Sequence, residues 1–161
     1  MIRDVQPSDA EAIARIYNFY VLNTVVTFEE KAISPSEMVG RIKDVQNLNY
    51  PWLILEQDQA VLGYAYASPW KTRSAYRFTA ECTIYLKNGC GGQGLGTQLY
   101  AQLFARLKAG GFHAVIGVIA LPNPASVALH ERYGMKKAAH FAEVGWKFDK
   151  WIDVGYWEKL L

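Results

Sequence analysis

Apolar residues along this chain recur at two spacings, one helical and one alternating, and the switches between them outline the elements. Ile2-Arg3-Asp4-Val5 reads as a short strand. After Pro7, Ala12, Ile13, Ile16, Tyr17 and Tyr20 follow a helical period, and Ser8 and Glu11 stand at the spacing of a capping box. A loop over Asn23 to Lys31 leads to Ser34-Pro35-Ser36-Glu37, a second capping box with proline at the first helical position. That helix should run to about Gln46. Trp52 to Glu56, a turn at Gln57-Asp58-Gln59, and Ala60 to Ala67 predict a hairpin. Arg77 to Leu86 predicts another strand, and Thr97 to Ala109 a helix stopped by Gly110-Gly111. The unbroken apolar run Ala114 to Leu121 has the composition of a strand buried on both faces. Asn123-Pro124 opens a helix through about Tyr133, stopped by Gly134. Met135 to Ala142 and Trp146 to Leu161 are the last two strands. No repeat, low-complexity run or linker interrupts this order, so residues 1–161 are expected to form one mixed α/β domain.

Composition narrows the function classes. The chain carries 17 Lys+Arg against 15 Asp+Glu, a net +2, with 51% hydrophobic and 20% charged residues. Disorder is excluded, and a dedicated nucleic-acid binder, which needs a clear basic excess, is not expected. Met1-Ile2-Arg3-Asp4-Val5-Gln6-Pro7 lacks the basic and apolar regions of a secretory signal. The longest uncharged apolar run falls far short of the ~20 residues of a membrane span. No membrane partner and a cytoplasmic location are the resulting expectations. Cys82 and Cys90 form no metal-ligand spacing with His113, His130 and His140, so no metal is expected and both thiols should be free. The acids are unevenly spread. None lies between Cys82 and His130, a window that holds Lys87, Arg106 and Lys108.

Inside that window stands Gly89-Cys90-Gly91-Gly92-Gln93-Gly94-Leu95-Gly96. A glycine cluster between a strand and a helix marks a backbone that bends sharply or approaches a ligand closely. Amides at a helix N-terminus make an anion site. The loop is not a dinucleotide fingerprint, because it comes at mid-chain and no acid follows it before Glu131. Nor is it a phosphate loop of the Gly-Lys-Ser/Thr kind. On the strand before it, alternation puts Glu81, Thr83 and Tyr85 on one face and Cys82, Ile84 and Leu86 on the other. A carboxylate in an otherwise uncharged strand is either ion-paired, here with Arg73 or Arg77, or functional. Glu29 is a second carboxylate, either functional or simply solvated. His130 shares a helix face with Asn123 and Ser126. Lys71, Arg73 and Tyr76 precede the Glu81 strand, and two cations beside an acid suit a zwitterionic ligand.

The strand, then Gly92-Gln93-Gly94-Leu95-Gly96, then the helix resembles the acetyl-CoA loop of the GNAT superfamily of N-acetyltransferases, usually Gln/Arg-x-x-Gly-x-Gly/Ala. Gly94 and Gly96 match its small positions, while Gly91 stands where Gln or Arg is usual. Nearly the whole chain is similar to the phosphinothricin and methionine sulfoximine/sulfone acetyltransferases. The residues that carry this are Tyr17-Asn18, Thr27-Phe28, Tyr50-Pro51-Trp52-Leu53, Gly63-Tyr64-Ala65-Tyr66-Ala67, Pro69-Trp70-Lys71, Ala80-Glu81, Thr83-Ile84-Tyr85, Leu121-Pro122-Asn123, His130-Glu131 and Asp153-Val154-Gly155-Tyr156-Trp157.

The resemblance implies a GNAT fold: a twisted, mostly antiparallel sheet with a splayed parallel pair and about four helices. It implies acetyl-CoA as co-substrate and direct acetyl transfer to the α-amine of a small amino-acid analogue, with Glu81 as general base. His130 falls where many relatives have a tyrosine that protonates the thiolate, and would be that acid, a partner to the amine, or a buried structural residue. Backbone of Ile84, Tyr85 and Leu86 would pair with the pantetheine arm. Gly92, Gln93, Gly94, Leu95, Gly96 and Thr97 would hold pyrophosphate, and Asn123 would bond pantetheine. Phe28, Lys71, Arg73, Ser74, Ala75, Tyr76 and Tyr85 would surround the amino-acid substrate. A homodimer is also implied. Two other readings remain, a GNAT acting on a protein or peptide amine and a non-catalytic coenzyme-binding dimer. A nucleophilic cysteine is not needed for direct transfer.

Overall fold

The computed structural model describes residues 1–161. Its elements run β1 (Ile2–Asp4), α1 (Ala10–Asn23), α2 (Pro35–Asn47), β2 (Trp52–Gln57), β3 (Ala60–Pro69), β4 (Thr79–Leu86), α3 (Leu95–Ala109), β5 (Ala114–Leu121), α4 (Pro124–Arg132), β6 (Lys136–Lys147) and β7 (Lys150–Leu160). The strands form one seven-stranded sheet in the order β1-β2-β3-β4-β5-β7-β6. Every pair is antiparallel except β4 with β5. No helix is long and apolar enough to cross a membrane.

The pattern of apolar residues follows from which sheet faces are covered. Trp52 and Ile54 pack beneath α1 and α2, while Leu53 and Leu55 pack beneath α3. Because both faces are buried, β2 shows a continuous apolar run instead of alternation. In α1, Ile13, Ala14, Ile16, Tyr17 and Val21 are buried, one helical stripe turned to the sheet. In α3 the stripe is Leu99, Tyr100, Leu103, Phe104 and Leu107. Fully burying a leucine contributes on the order of 1.5–3 kcal/mol, so each stripe outweighs any local propensity in its helix.

The α2 capping box forms as expected: Ser34 Oγ accepts from Glu37 N at 3.1 Å and Glu37 Oε2 accepts from Ser34 N at 2.6 Å. The one expected at Ser8 and Glu11 does not. Pro7–Asp9 make a short 3₁₀ turn and α1 starts at Ala10. The Asp9 side chain does not cap α1 but closes the 3₁₀ turn, accepting from Gln6 N at 2.8 Å while both its oxygens bind Arg3 at 2.8 Å. Glu11 pairs instead with Arg15. The Asp9 side chain is thus drawn to Arg3 on β1, and the helix starts one residue later.

Three other boundaries differ. β4 begins at Thr79 rather than Arg77, because Ser74–Tyr76 form a 3₁₀ turn closed by Arg77 N on Ser74 O. Helix α3 begins at Leu95, two residues early, since Gly94 takes the left-handed conformation at its N-cap. The last hairpin turns at Phe148-Asp149, both with positive φ, not near Glu143. Residues 142–144 are instead absorbed as a bulge in β6, where the register shifts between Phe141 and Gly145 and Asp153 Oδ1 accepts from Glu143 N at 2.9 Å. The turn carries no glycine to announce it.

What this architecture prepares is an opening in the sheet. β4 and β5 pair only from Thr79–Cys82 against Ala114–Gly117. Beyond that, β4 stays with β3 as far as Leu86, and β5 stays with β7 as far as Leu121. The parallel pair splays, as expected.

Candidate active site

The splay opens into a cavity of about 560 Å³. Glu81, Cys82, Thr83, Ile84 and Tyr85 line it from β4; Val118, Ile119 and Ala120 from β5; Asn123, Ser126 and His130 from the start and inner face of α4. Val26, Thr27 and Phe28 on the loop after α1, with Phe141, Val144, Val154 and Tyr156 on the β6–β7 hairpin, complete the wall.

Glu81 is half-buried, and it makes neither the ion pair with Arg73 nor the one with Arg77. Arg77 instead donates to Ser74 O and lies over Phe78. Burial pushes the Glu81 carboxyl above its ordinary range, and the Lys71 cation offsets part of that shift. An unpaired carboxylate that holds its proton more tightly than usual, facing a cavity, has the properties of a general base. Glu29, by contrast, is taken: Arg41 binds it with two bonds of 2.7 and 3.0 Å.

His130 is only 3% exposed. Its Nδ1 lies 2.7 Å from the Ser126 carbonyl oxygen, which can only accept, so Nδ1 carries the proton. Nε2, 3.0 Å from the Tyr100 hydroxyl, then accepts from it. Burial pushes the imidazole below its ordinary range, so the ring is neutral at pH 7. Gly117 makes the space: a Cβ there would stand 2.4 Å from His130 Cδ2. Burial pushes the Cys82 thiol up to about 12. Cys82 faces the α3 core rather than the Glu81 side and is not a nucleophile at neutral pH.

The strand and helix edges left free beside the cavity fit an extended thioester with a phosphate-bearing end. Past Cys82, β4 has no partner on the β5 side, which exposes the backbone of Ile84 to an added strand; the Tyr85 backbone, expected to share that role, is instead turned to Tyr64 on β3, because peptide groups alternate sides along a strand. The Leu86 carbonyl already accepts from the Tyr20 hydroxyl at 2.6 Å. At α3, Gly92 and Gly94 have positive φ, and no side chain caps the first turn, so the amides of Leu95, Gly96 and Thr97 point outward unpaired. Gly96 has a second duty, since a Cβ there would come within 3.1 Å of Leu129 on α4. The Tyr133 hydroxyl donates to the Thr97 carbonyl and ties the same two helices together. Asn123 caps α4, its Oδ1 accepting from Ser126 N at 3.1 Å, which leaves the side-chain NH₂ for the cavity.

Glu81, Ile84, Tyr85, Phe28, Asn123 and His130 thus meet at one cavity, and Gly92 to Thr97 lie at the adjoining helix start. Lys71, Arg73, Ser74, Ala75 and Tyr76 do not line it. They are exposed beside β4, with Lys71 and Tyr76 packed on Trp70. Of these, Lys71 is the one whose charge reaches Glu81. Sequence reasoning missed Tyr100, Gly117 and the hairpin residues Phe141, Val144 and Tyr156. A buried polar Tyr in the stripe of α3 was a signal for the first; the others come into play only through long-range packing.

Residues 2–155 match the acetyltransferase (GNAT) domain family. A phosphinothricin N-acetyltransferase of Streptomyces viridochromogenes is 38% identical over 98% of this chain and 86% of the relative. An L-methionine sulfoximine/L-methionine sulfone acetyltransferase of Salmonella typhimurium is 31% identical over 99% of this chain and 94% of the relative. The crystal structure of a GNAT superfamily phosphinothricin acetyltransferase from Sinorhizobium meliloti in complex with acetyl-CoA superposes with a TM-score of 0.97 at 37% identity, covering 100% of this chain and 88% of that one.

Proposed function

The chain belongs to the GNAT acetyltransferase family and is an acetyl-CoA-dependent N-acetyltransferase; we propose that it acetylates the α-amine of a small amino-acid analogue of the phosphinothricin, methionine sulfoximine or methionine sulfone type, with Glu81 as general base. The observation that carries this is the unpaired Glu81 carboxylate facing the cavity where β4 and β5 part. An α-ammonium group titrates near ~7.7–8.0 and must lose its proton before it can attack. The raised pKa of Glu81 narrows the gap to that value and makes it a stronger proton acceptor than an ordinary carboxylate.

The donor available to charge developing on the thioester oxygen is the Ile84 backbone N–H on the free edge of β4, since the Tyr85 N–H is turned to Tyr64 on β3. The outward amides of α3 and the Asn123 amide hold the coenzyme's phosphates and arm. Tyr100 and His130 hold a dissociable proton at the α4 wall. Because the ring is neutral and its Nδ1 proton stays on Ser126, the Tyr100 hydroxyl must turn from Nε2 to donate to the leaving thiolate, with His130 positioning it. Phe28 and Tyr85 wall the side chain, and Lys71, whose charge reaches Glu81 from outside the cavity, attracts its anionic groups. A homodimer belongs to the same reading, supported by the exposed aromatics Trp146, Phe148 and Trp151 on the β6–β7 hairpin at the sheet edge.

Steady-state assays with methionine sulfone, methionine sulfoximine and phosphinothricin, following free coenzyme A, test this. Turnover of at least one is expected. No turnover of any, with turnover of a peptide N-terminus, would replace the substrate class.

A further inference from the structure

Gly145 is a glycine for lack of space, not for backbone freedom. Its φ is not in the left-handed region, so the conformation would suit any residue. Yet a Cβ there would stand 2.4 Å from Phe28 Cζ and 2.5 Å from Cε2. The Phe28 ring therefore rests on the bare backbone of β6 just after the bulge, and its other side faces the cavity.

The loop that carries Phe28 is fixed on both sides of it. The ammonium of Lys147, two residues beyond Gly145 and 1% exposed, donates to the Thr27 carbonyl at 2.7 Å. The Tyr17 hydroxyl bonds Thr27 Oγ1 at 2.8 Å. On the other side Glu29 is held by Arg41. With its backbone pinned, the ring keeps only its two side-chain torsions, and residue 145 beneath it limits how low they can set it.

We propose that Gly145 is a specificity-determining residue: by seating Phe28 low, it sets the depth of the apolar end of the cavity and so the length of substrate side chain admitted. This rests on the amino-acid reading of the site above. The end in question is lined by Phe28, Val26, Val144 and Phe141, which suits a short aliphatic stem carrying its polar group at the tip. Any side chain at 145 lifts the ring into that space.

Two measurements test the seat and its consequence separately. Thermal unfolding of Gly145→Ala is expected to show a midpoint lowered by about 5 °C, as for an overpacked contact; in a Phe28→Ala background the same substitution should shift it by about 1 °C or less. Equal shifts in both backgrounds would overturn the seat, whatever the enzyme acetylates. For specificity, Gly145→Ala is expected to raise KM for methionine sulfone about tenfold while KM for acetyl-CoA changes less than about twofold. Phe28→Leu, which removes ring bulk without strain, is expected to raise kcat/KM for the one-methylene-longer sulfone relative to methionine sulfone about fivefold. Unchanged chain-length preference in Phe28→Leu would overturn the proposal even if Gly145→Ala did not fold. If the wild type turned over no amino-acid analogue while the thermal coupling held, the seat would stand and the substrate reading would fall.

Discussion

On the general-base reading, Glu81 is set for chemistry at the expense of the fold. A carboxyl with a raised folded pKa holds its proton better in the folded than in the unfolded chain. Ionising it therefore lowers stability, and the loss sets in as pH rises from the ordinary carboxylate range through the raised value. Glu81→Gln is expected to melt higher than wild type at pH 7 and no higher at acid pH, as differential scanning calorimetry would show. The same substitution should lower kcat/KM roughly 10²–10⁴-fold at pH 7, with part of the activity regained at high pH where free amine is abundant. Wild-type kcat/KM should rise with pH through the Glu81 transition. His130 has the opposite sign. Its folded pKa is lowered, so stability present above ~6.5 is lost as pH falls and the unfolded chain takes up the proton first. His130→Gln should flatten that acid-side loss of melting temperature. His130→Ala is expected to lower kcat with little effect on KM for acetyl-CoA; a large rise in that KM would make its role structural.

Among the elements, the loop before α3 separates two uses of glycine. Gly94 has positive φ with open space around it, whereas Gly91 has neither positive φ nor a neighbour within 4 Å. Gly94→Ala should therefore strain the loop by about 1–2 kcal/mol and raise KM for acetyl-CoA. Gly91→Arg restores the side chain usual in the family and meets no steric barrier. It is expected to lower that KM several-fold at low salt and leave the melting temperature unchanged. At α2, Ser34→Ala should cost about 1 kcal/mol by chemical denaturation. Most elements were legible from periodicity, caps and glycine stops. The start of α1 was not, because Arg3, on β1, takes Asp9 and a 3₁₀ turn stands where the capping box was expected. The β6–β7 turn was not, because its residues carry no turn signature and a bulge, invisible in sequence, shifts the register by the missing residues.

At the scale of the molecule, the acid-free window from Cys82 to His130 coincides with the free edge of β4, the glycine loop, α3 and the start of α4. A coenzyme carrying phosphates is expected to avoid carboxylates there. Folding modifies the charge count, since Arg106 is paired with Asp4 at 3.1 Å, from outside the window. Lys87 and Lys108 remain unpaired, and the field is weaker than the sequence suggests. The β6–β7 hairpin leaves Trp146 50% and Trp151 61% exposed. With the homodimer reading, sedimentation should give a dimer for wild type and a monomer for Trp151→Glu; a wild-type monomer would remove the dimer from the reading.

Local order along the chain determined the α/β alternation, the two strands that splay, the glycine-bounded start of α3 and Glu81 as the carboxylate to watch. These depend on side-chain period, capping and backbone freedom, properties of neighbours in sequence. Only the tertiary structure decided that Glu81 has no ion-pair partner, that His130 is neutral and bonded to Tyr100, that Lys71 to Tyr76 stand outside the cavity, and that Gly145 seats Phe28. Each of those depends on groups brought together from distant segments. Burial, pairing and steric room are set by where the whole chain packs, and no local pattern contains them.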